Sequence, residues 1–363
     1  MLRLARRPSP LLHRSPQCQA KTYTTSPPKI PIQLIAELRK QTHVSLSKAR
    51  EALANSNLSV SAALEWLQHD LVATGLAKAA KVASRETSQG LIAQSVLSHG
   101  AGLNAAGGVR AAMVELNCET DFVSQNELFA RLAVDIAHTA AFISEAAQTR
   151  TQTPEFVNLS IDELSAAPLI QHPTSGSSQQ APPPPGTTVA TAIRDTIVKV
   201  GENISLARAR SLVEDAPVTP SLGAHHAHRL GTYTHGARHG LSCGPISALA
   251  LLRLRSPHLS TLLRKEQFRA DLAVLERAIA QQLVGMDTLS VRPVEGLERP
   301  DQALYSQEFF VFPIPEYNTL SVEQALKKWS VKQGLVESEE QDGGVDVLDF
   351  SRWAVNQPET RLS

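Results

Sequence analysis

The 363-residue sequence is poor in cysteine, in aromatic residues and in long apolar runs. Its three cysteines, Cys18, Cys118 and Cys243, are too few and too widely spaced for a disulfide framework or a cysteine-based zinc site. No apolar run reaches the length that a helix needs to cross a membrane. Because lysine plus arginine and aspartate plus glutamate are equal at 35 each, no overall basic charge points to nucleic acid as the main partner.

Sequence motifs of nucleotide-binding and hydrolytic enzymes are absent as well. There is no Gly-x-x-x-x-Gly-Lys-Ser/Thr phosphate loop, no Gly-x-Gly-x-x-Gly turn and no Gly-x-Ser-x-Gly elbow. The joint absence of these motifs favours a protein that is not an enzyme, and we expect it to need no cofactor.

The first 36 residues contain no aspartate or glutamate, although basic residues recur among them. Arginines spaced among leucine, serine and proline, without an uninterrupted apolar segment, are typical of a mitochondrial presequence rather than a secretory signal. A basic tail without a targeting role is the alternative. We predict a presequence over residues 1–28, whose removal would take away five basic residues and leave a mildly acidic protein of the mitochondrial matrix.

Residues 30–71 carry three short helical patterns separated by polar residues, and Ser45 and Ser59 are the predicted N-caps of the second and third. Helices this short need a shared core, so the pattern predicts a three-helix module. The apolar stripes that would form this core are Leu34, Ile35 and Leu38, then Ala49, Ala52 and Leu53, then Ala63, Leu64 and Leu67. An alanine- and lysine-rich segment at 72–88 predicts a solvated helical linker.

Beyond the linker, two similar patterns predict a duplicated α+β core, with subdomains over 89–213 and 214–363. Strand-type runs at 90–100 and 107–117 predict an antiparallel pair, and a second such pair is predicted within 230–254. Each pair is followed by an amphipathic helix, the first through Leu128, Phe129, Leu132, Ile136 and Ala140 and the second over 268–285.

The remaining segments differ in character. The low-complexity stretch 174–188 predicts an exposed, disordered insertion in the first subdomain. Near the C-terminus the patterns predict a strand at 307–313, a helix at 321–329 and a final strand at 345–353.

Asp121 and Phe122 lie where the second predicted strand meets the first amphipathic helix. Ser124 and Glu127 have the spacing of a capping box for that helix. In one interpretation Phe122 closes the core behind the strand and Asp121 is a turn acid. In the other, both project from a rigid junction of the kind that often carries partner contacts. The residue pattern alone leaves both interpretations open.

Five histidines cluster within residues 225–239 and raise the question of a metal site. Cys243 is the only thiol nearby, and no carboxylate lies between Asp215 and Glu266. We therefore favour a solvated loop or a polar contact surface and predict no metal, with a hydrolase using His226 and His239 as a rival interpretation.

The run VELNCETDFV, residues 114–123, resembles the hallmark of the elongation factor Ts family. Residues 34–53 and the following asparagine-containing turn are similar to the ubiquitin-associated-like module with which members of that family begin. VGENISLAR at 200–208 and YTHGARHG at 233–240 resemble two further family motifs in the same order. The resemblance extends over about residues 30–330, and four motifs in order make it specific.

The resemblance implies a translation elongation factor that acts as a guanine nucleotide exchange factor for mitochondrial elongation factor Tu. It implies that Asp121 and Phe122 enter the G domain of that partner near its magnesium and phosphate site, with Thr120 and Val123 shaping the pair. Another part of the partner would be contacted by His235. The helix positions that would face the G domain are Leu46, Ser47 and Arg50.

The chain departs from the family pattern in three places. Residues 43–47 replace a Gly-x-Gly and paired methionines, 174–188 and 221–230 are additional, and the helical pair of many bacterial relatives is missing between Leu283 and Phe309. We therefore expect a 1:1 complex with elongation factor Tu and no self-dimerisation. Direct contact with nucleic acid or membrane is not expected. The alternative function is a ubiquitin-associated-type interaction module without exchange activity.

Overall fold

The computed structural model describes residues 30–42, 44, 46–103, 107–146, 153–173, 184–215, 225–295 and 297–359. The predicted presequence, Ser45 and most of the stretch 174–188 lie outside these residues. The chain divides into two compact units, Met1–Trp66 and Leu67–Ser363. Within the described ranges, no helix has the length and apolar content needed to cross a membrane.

The first unit contains helices α1 (Ile32–Thr42) and α2 (Leu46–Asn55) and the beginning of α3 (Val60–Val82). Between α2 and α3 the chain turns through Asn57 and Leu58, whose φ angles of 49° and 64° place both residues in the left-handed region. The predicted stripes supply the buried apolar side chains of this unit, namely Ile35, Leu38, Ala49, Ala52, Leu53 and Ala63.

The second unit begins within α3, whose last residue, Val82, is buried in its core. The predicted linker 72–88 is therefore not solvated throughout, because its residue Val82 lies in the core. The strands described in this unit are β1 (Gln89–His99), β2 (Val109–Cys118), β3 (Phe156–Asn158), β4 (Ile204–Val213), β5 (His226–His235), β6 (Cys243–Gly244), β7 (Ile246–Arg255) and β8 (Gly344–Ala354). The helices are α4 (Asp121–Ser124), α5 (Glu127–Ile143), α6 (Ile161–Ala166), α7 (Val189–Val200), α8 (Leu259–Arg264), α9 (Glu266–Gly285) and α10 (Val322–Lys332).

The strands form two antiparallel sheets that pack face to face. The first has the order β3-β4-β2-β1-β6 and the second the order β5-β7-β8. Because alternate residues of a strand point to opposite faces, Ile92 of β1 turns toward the second sheet while Leu91 and Ala93 turn toward α5. The layer between the sheets includes Ile92, Met113, Leu230, Leu251 and Trp353.

Helices cover the outer face of each sheet. α5 packs on β1 and β2, and α9 packs on β5 and β7, so each strand pair carries its own helix. The duplicated α+β core and both predicted strand pairs are confirmed, with Gln89 opposite Cys118 in the first pair and His226 opposite Arg255 in the second. The second pair starts earlier than predicted, and residues 236–242 form the loop that follows β5.

The strand predicted at 307–313 is wrong. Phe312 N donates to Phe309 O across a turn at 3.2 Å. The rings of Phe309 and Phe312, and those of Phe312 and Tyr317, lie with centroids 5.1 Å apart. Burial of three aromatic side chains in one cluster requires a compact turn, since a strand would point alternate residues away from each other. The helix at α10 and the final strand at β8 are confirmed.

Candidate partner-binding site

Asp121 and Phe122 lie on α4, a single helical turn of four residues between β2 and α5. The Phe122 side chain is 81% exposed and Asp121 is also exposed, whereas Val123 is only 7% exposed and packs in the core beneath the first sheet. The interpretation of Phe122 as a core residue is therefore wrong. Val123 anchors the turn, and the two residues before it are presented to solvent.

Thr120 is the N-cap of α4, and its hydroxyl oxygen accepts a hydrogen bond from Val123 N at 3.4 Å. Two hydrogen bonds join Thr120 to Glu202: its backbone N–H donates to Oε2 at 3.1 Å and its hydroxyl donates to Oε1 at 2.7 Å. Glu202 follows Gly201, which ends α7 at a φ of 82° that favours glycine. A carboxylate from another part of the chain thus holds the beginning of α4.

A second set of contacts joins the same segments. Asn203 N donates to Glu119 Oε1 at 2.6 Å, and the Asn203 side-chain amide donates to Arg85 O at 2.8 Å. The Arg85 guanidinium lies 3.4 Å from Glu119 Oε1. The chain on the N-terminal side of α4 is therefore tied to the turn before β4 by both backbone and side-chain groups.

The C-terminal end of α4 is held by the loop that follows β5. Gln125 N donates to Asp121 O at 2.9 Å, and Gln125 O accepts a hydrogen bond from His239 Nε2 at 2.9 Å. His239 has a φ of 54°, so the loop reaches Gln125 through a left-handed residue. His235, exposed at the end of β5, belongs to the same loop region. The structure thus brings the motif YTHGARHG against the segment that carries Asp121 and Phe122.

The capping box predicted from Ser124 and Glu127 is wrong. Ser124 is the last residue of α4, and its hydroxyl donates to Asp121 O at 2.9 Å. Asn126 caps α5 instead, because its side-chain oxygen accepts from Leu128 N at 2.9 Å. Glu127 bonds to Arg131 one turn along the helix, and this hydrogen bond lowers the pKa of the Glu127 carboxyl.

Cys118 lies at the end of β2 and contributes a structural contact. Burial raises the pKa of its thiol to about 12, with the negative charge of Glu202 acting in the same direction. The thiol is therefore protonated at neutral pH and donates to Thr120 O at 3.2 Å. Such a group is a weak nucleophile, and its position supports the N-cap of α4.

The predicted residues of the first unit lie together on α2. Leu46 is 45% exposed, and Ser47 and Arg50 are also exposed. Leu46, Ser47 and Arg50 span about 100° of the helix surface, next to the buried stripe of Ala49, Ala52 and Leu53. This exposed side of α2 is a second candidate contact surface.

The histidine-rich segment 225–239 contains both buried and exposed histidines. His228 is buried, with its Nδ1 atom 2.8 Å from Glu214 Oε1, whereas His225 and His226 are exposed. In the part of the chain that the structure describes, no three histidine, cysteine or acidic side chains converge in a way that could hold a metal ion.

Sequence reasoning missed three residues that position α4 and α5: Glu202, His239 and Asn126. Glu202 lies 82 residues from Thr120 along the chain, so no local spacing could reveal the contact. The available signal was that Glu202 belongs to the motif VGENISLAR. No functional residue had been predicted within that motif. Asn126 is a residue type strongly preferred at N-caps and was detectable on that ground.

Comparisons with known proteins identify the family of the chain. The family described as elongation factor TS matches residues 119–243, which begin just before α4 and end at β6. The mitochondrial elongation factor Ts of Coprinopsis cinerea is 47% identical over 340 residues, covering 93% of this chain and 95% of that relative. The one of Laccaria bicolor is 48% identical over 338 residues, covering 92% and 94%. The one of Mycosarcoma maydis is 32% identical over 394 residues, covering 92% and 86%. The chain therefore belongs to the elongation factor Ts family of translation elongation factors, in its mitochondrial branch.

Proposed function

We propose that this protein is a guanine nucleotide exchange factor that binds mitochondrial elongation factor Tu carrying GDP and accelerates the release of that GDP. The observation that carries the proposal is the exposed pair Asp121 and Phe122 on a turn held at both ends. An aromatic side chain 81% exposed adds little to the stability of its own fold, while a desolvated aromatic is a typical interface anchor. The pair is therefore suited to enter a partner.

Exchange of this kind needs no covalent chemistry. If this protein and GDP oppose each other on elongation factor Tu, each must weaken the binding of the other by the same factor. Phe122 would displace groups that surround the magnesium and phosphate site, and the Asp121 carboxylate would bring negative charge close to the phosphates. Since about 1.4 kcal/mol corresponds to a factor of ten, a coupling of several kcal/mol would accelerate release by orders of magnitude.

Two further contacts complete the proposal. Leu46, Ser47 and Arg50 on the exposed side of α2 would face the G domain, and His235 would contact another part of the same partner. The complex would contain one copy of each protein. It would form in the mitochondrial matrix after removal of residues 1–28. The chain would act through the three-helix module 30–71, which the linker 72–88 joins to the subdomains 89–213 and 214–363.

The test is the release of labelled GDP from mitochondrial elongation factor Tu. We expect the full chain to accelerate release, and the variant Asp121→Ala with Phe122→Ala to lose at least about tenfold of that acceleration, equivalent to about 1.4 kcal/mol. Because both side chains are exposed, the free energy of unfolding should change by less than about 0.5 kcal/mol.

The matched control removes an exposed aromatic and an exposed acid at the other end of α5, through Phe142→Ala with Glu145→Ala. The 17 residues of α5 separate the two sites by about 25 Å. The control variant should therefore accelerate GDP release from elongation factor Tu as much as the wild type does. No acceleration by the wild type would reject exchange activity. Full activity of the Asp121 and Phe122 variant would reject the assignment of these two residues.

A further inference from the structure

We propose that Glu202 is a positioning residue for exchange, which fixes α4 so that Asp121 and Phe122 are presented in one orientation. The inference rests on the proposed function and assigns a role to the motif VGENISLAR. Glu202 lies in the turn between α7 and β4 and touches α4 only through Thr120 in the contacts described above. Its effect on a partner would therefore be indirect.

The backbone N–H, the hydroxyl and the carbonyl oxygen of Thr120 all form hydrogen bonds. The Glu202 carboxylate accepts from both its N–H and its hydroxyl, and the hydroxyl oxygen in turn accepts from Val123 N. Its carbonyl oxygen accepts from Ser124 N at 3.2 Å and from the Cys118 thiol at 3.2 Å. Hydrogen bonds to an ionised acceptor are shorter and stronger than those between neutral groups. Glu202 thus sets the direction in which the first turn of α4 starts.

α4 depends on such contacts because it is too short to be stable alone. An isolated helical turn fixes several backbone dihedrals for very few hydrogen bonds. Of its four residues only Val123 and Ser124 are buried, so little apolar area anchors it. Glu202 at the beginning and His239 at Gln125 hold its two ends. Without Glu202, the Thr120 N–H would lose its acceptor and fewer contacts would fix the direction of the first turn.

Fixing α4 in the free protein affects the exchange step more than encounter with the partner. When Asp121 and Phe122 enter the nucleotide site after the first contacts have formed, a turn that is already ordered loses no further entropy at that step. Glu202 acts on the Thr120 end of α4, so α2 and His235 would bind the partner as before. The loss of Glu202 should therefore lower the rate of GDP release at saturating concentrations of this protein. The concentration that gives half of that rate should stay nearly unchanged.

The first experiment measures GDP release from mitochondrial elongation factor Tu over a range of concentrations of the full chain. We expect Glu202→Ala to lower the saturating rate about tenfold, the scale of one lost charge-assisted hydrogen bond, with a change of less than about threefold in the half-saturating concentration. Glu202→Gln keeps one acceptor oxygen for two donors and should lie between the two. The control Glu323→Ala removes a carboxylate that pairs with Lys327 on α10 and should match the wild type.

The second experiment repeats Glu202→Ala in a Phe122→Ala background. If Glu202 acts by presenting Phe122, its removal there should cost less than about twofold, because coupled residues are not additive. A tenfold further loss in that background would show a general structural defect and overturn the proposal. A wild-type saturating rate for Glu202→Ala with Phe122 intact would overturn it as well.

The third measurement does not depend on exchange activity. Amide hydrogen exchange of residues 120–126 in the free protein should become about tenfold faster in Glu202→Ala, while β1 and β2 keep their protection. Unchanged protection of residues 120–126 would overturn the positioning role even if the wild type releases GDP. Faster amide exchange with no GDP release by the wild type would instead reject the proposed function and leave the hold of Glu202 on α4 established.

Discussion

Burial sets the protonation state of two histidines, one on α5 and one beyond α6. The rings of His138 and His172 lie with centroids 5.1 Å apart, and Ser95 Oγ lies 3.2 Å from His138 Nδ1. Burial lowers the pKa of both imidazoles, and His172 lowers that of His138 further. Each ring is therefore held in its neutral form in the folded protein at neutral pH. Sequence spacing could not pair these two residues, because His172 lies beyond a separate helix, α6.

This pair predicts a loss of stability in mild acid. Because the pKa of each histidine is lower in the folded protein, the unfolded chain takes up protons first as the pH falls through the ordinary histidine pKa of about 6.5. The free energy of unfolding must therefore fall as the pH is lowered through that range. His138→Asn keeps a polar partner for Ser95 but does not titrate. Urea unfolding at about pH 7.5 and about pH 5.5 should show a smaller acid loss for this variant than for the wild type. Equal losses would mean that His138 does not contribute.

At the scale of elements, α4 and α5 show how far local pattern reaches. The apolar period of α5 was sufficient to predict the helix, and its buried face includes Phe129, Leu132 and Ile136. Its start was predicted wrongly, because Ser124 and Glu127 satisfy the capping-box spacing while Ser124 is used by α4. A cap depends on where the preceding turn ends. Here Thr120, the N-cap of that turn, is bonded to Glu202, 82 residues away in the sequence.

The corrected cap makes a prediction at the same scale. Asn126→Ala should lower the free energy of unfolding by about 1 kcal/mol, because Leu128 N loses its acceptor. Asn126→Asp retains a side-chain oxygen at this position and should stay within about 0.5 kcal/mol of the wild type. Urea denaturation followed by circular dichroism measures both. An Asn126→Ala protein as stable as the wild type would contradict the assignment of this cap.

At the scale of the whole second unit, the two sheets share one apolar layer. Leu251 of β7 is fully buried in this layer together with Met113 of β2. The C-terminal residues add polar links between the sheets, since Asn356 N donates to Glu115 Oε1 at 2.7 Å just after β8. The two strand–helix repeats are therefore expected to unfold together, although each has its own helix layer.

A substitution in the shared layer tests this cooperativity. Leu251→Ala should lower the free energy of unfolding by about 2–5 kcal/mol, because it removes buried methyl groups and leaves a cavity. Amide exchange should accelerate in β2 of the first sheet as well as in β7 of the second. Leu97→Ala, at a side chain 37% exposed on β1, serves as the control and should have a much smaller effect. Faster exchange confined to the second sheet would show that the sheets unfold separately.

The sequence by itself determined the local elements of this protein: the helical stripes of residues 30–71, the paired strands, the helices behind them and the polar junction at Asp121 and Phe122. These follow from residue periods and turn chemistry, which act over a few positions. Only the tertiary structure decided that Val123, not Phe122, enters the core, and that Glu202 and His239 hold the two ends of α4. Such choices depend on which distant groups meet in space, because a four-residue turn has too few contacts of its own to settle its orientation.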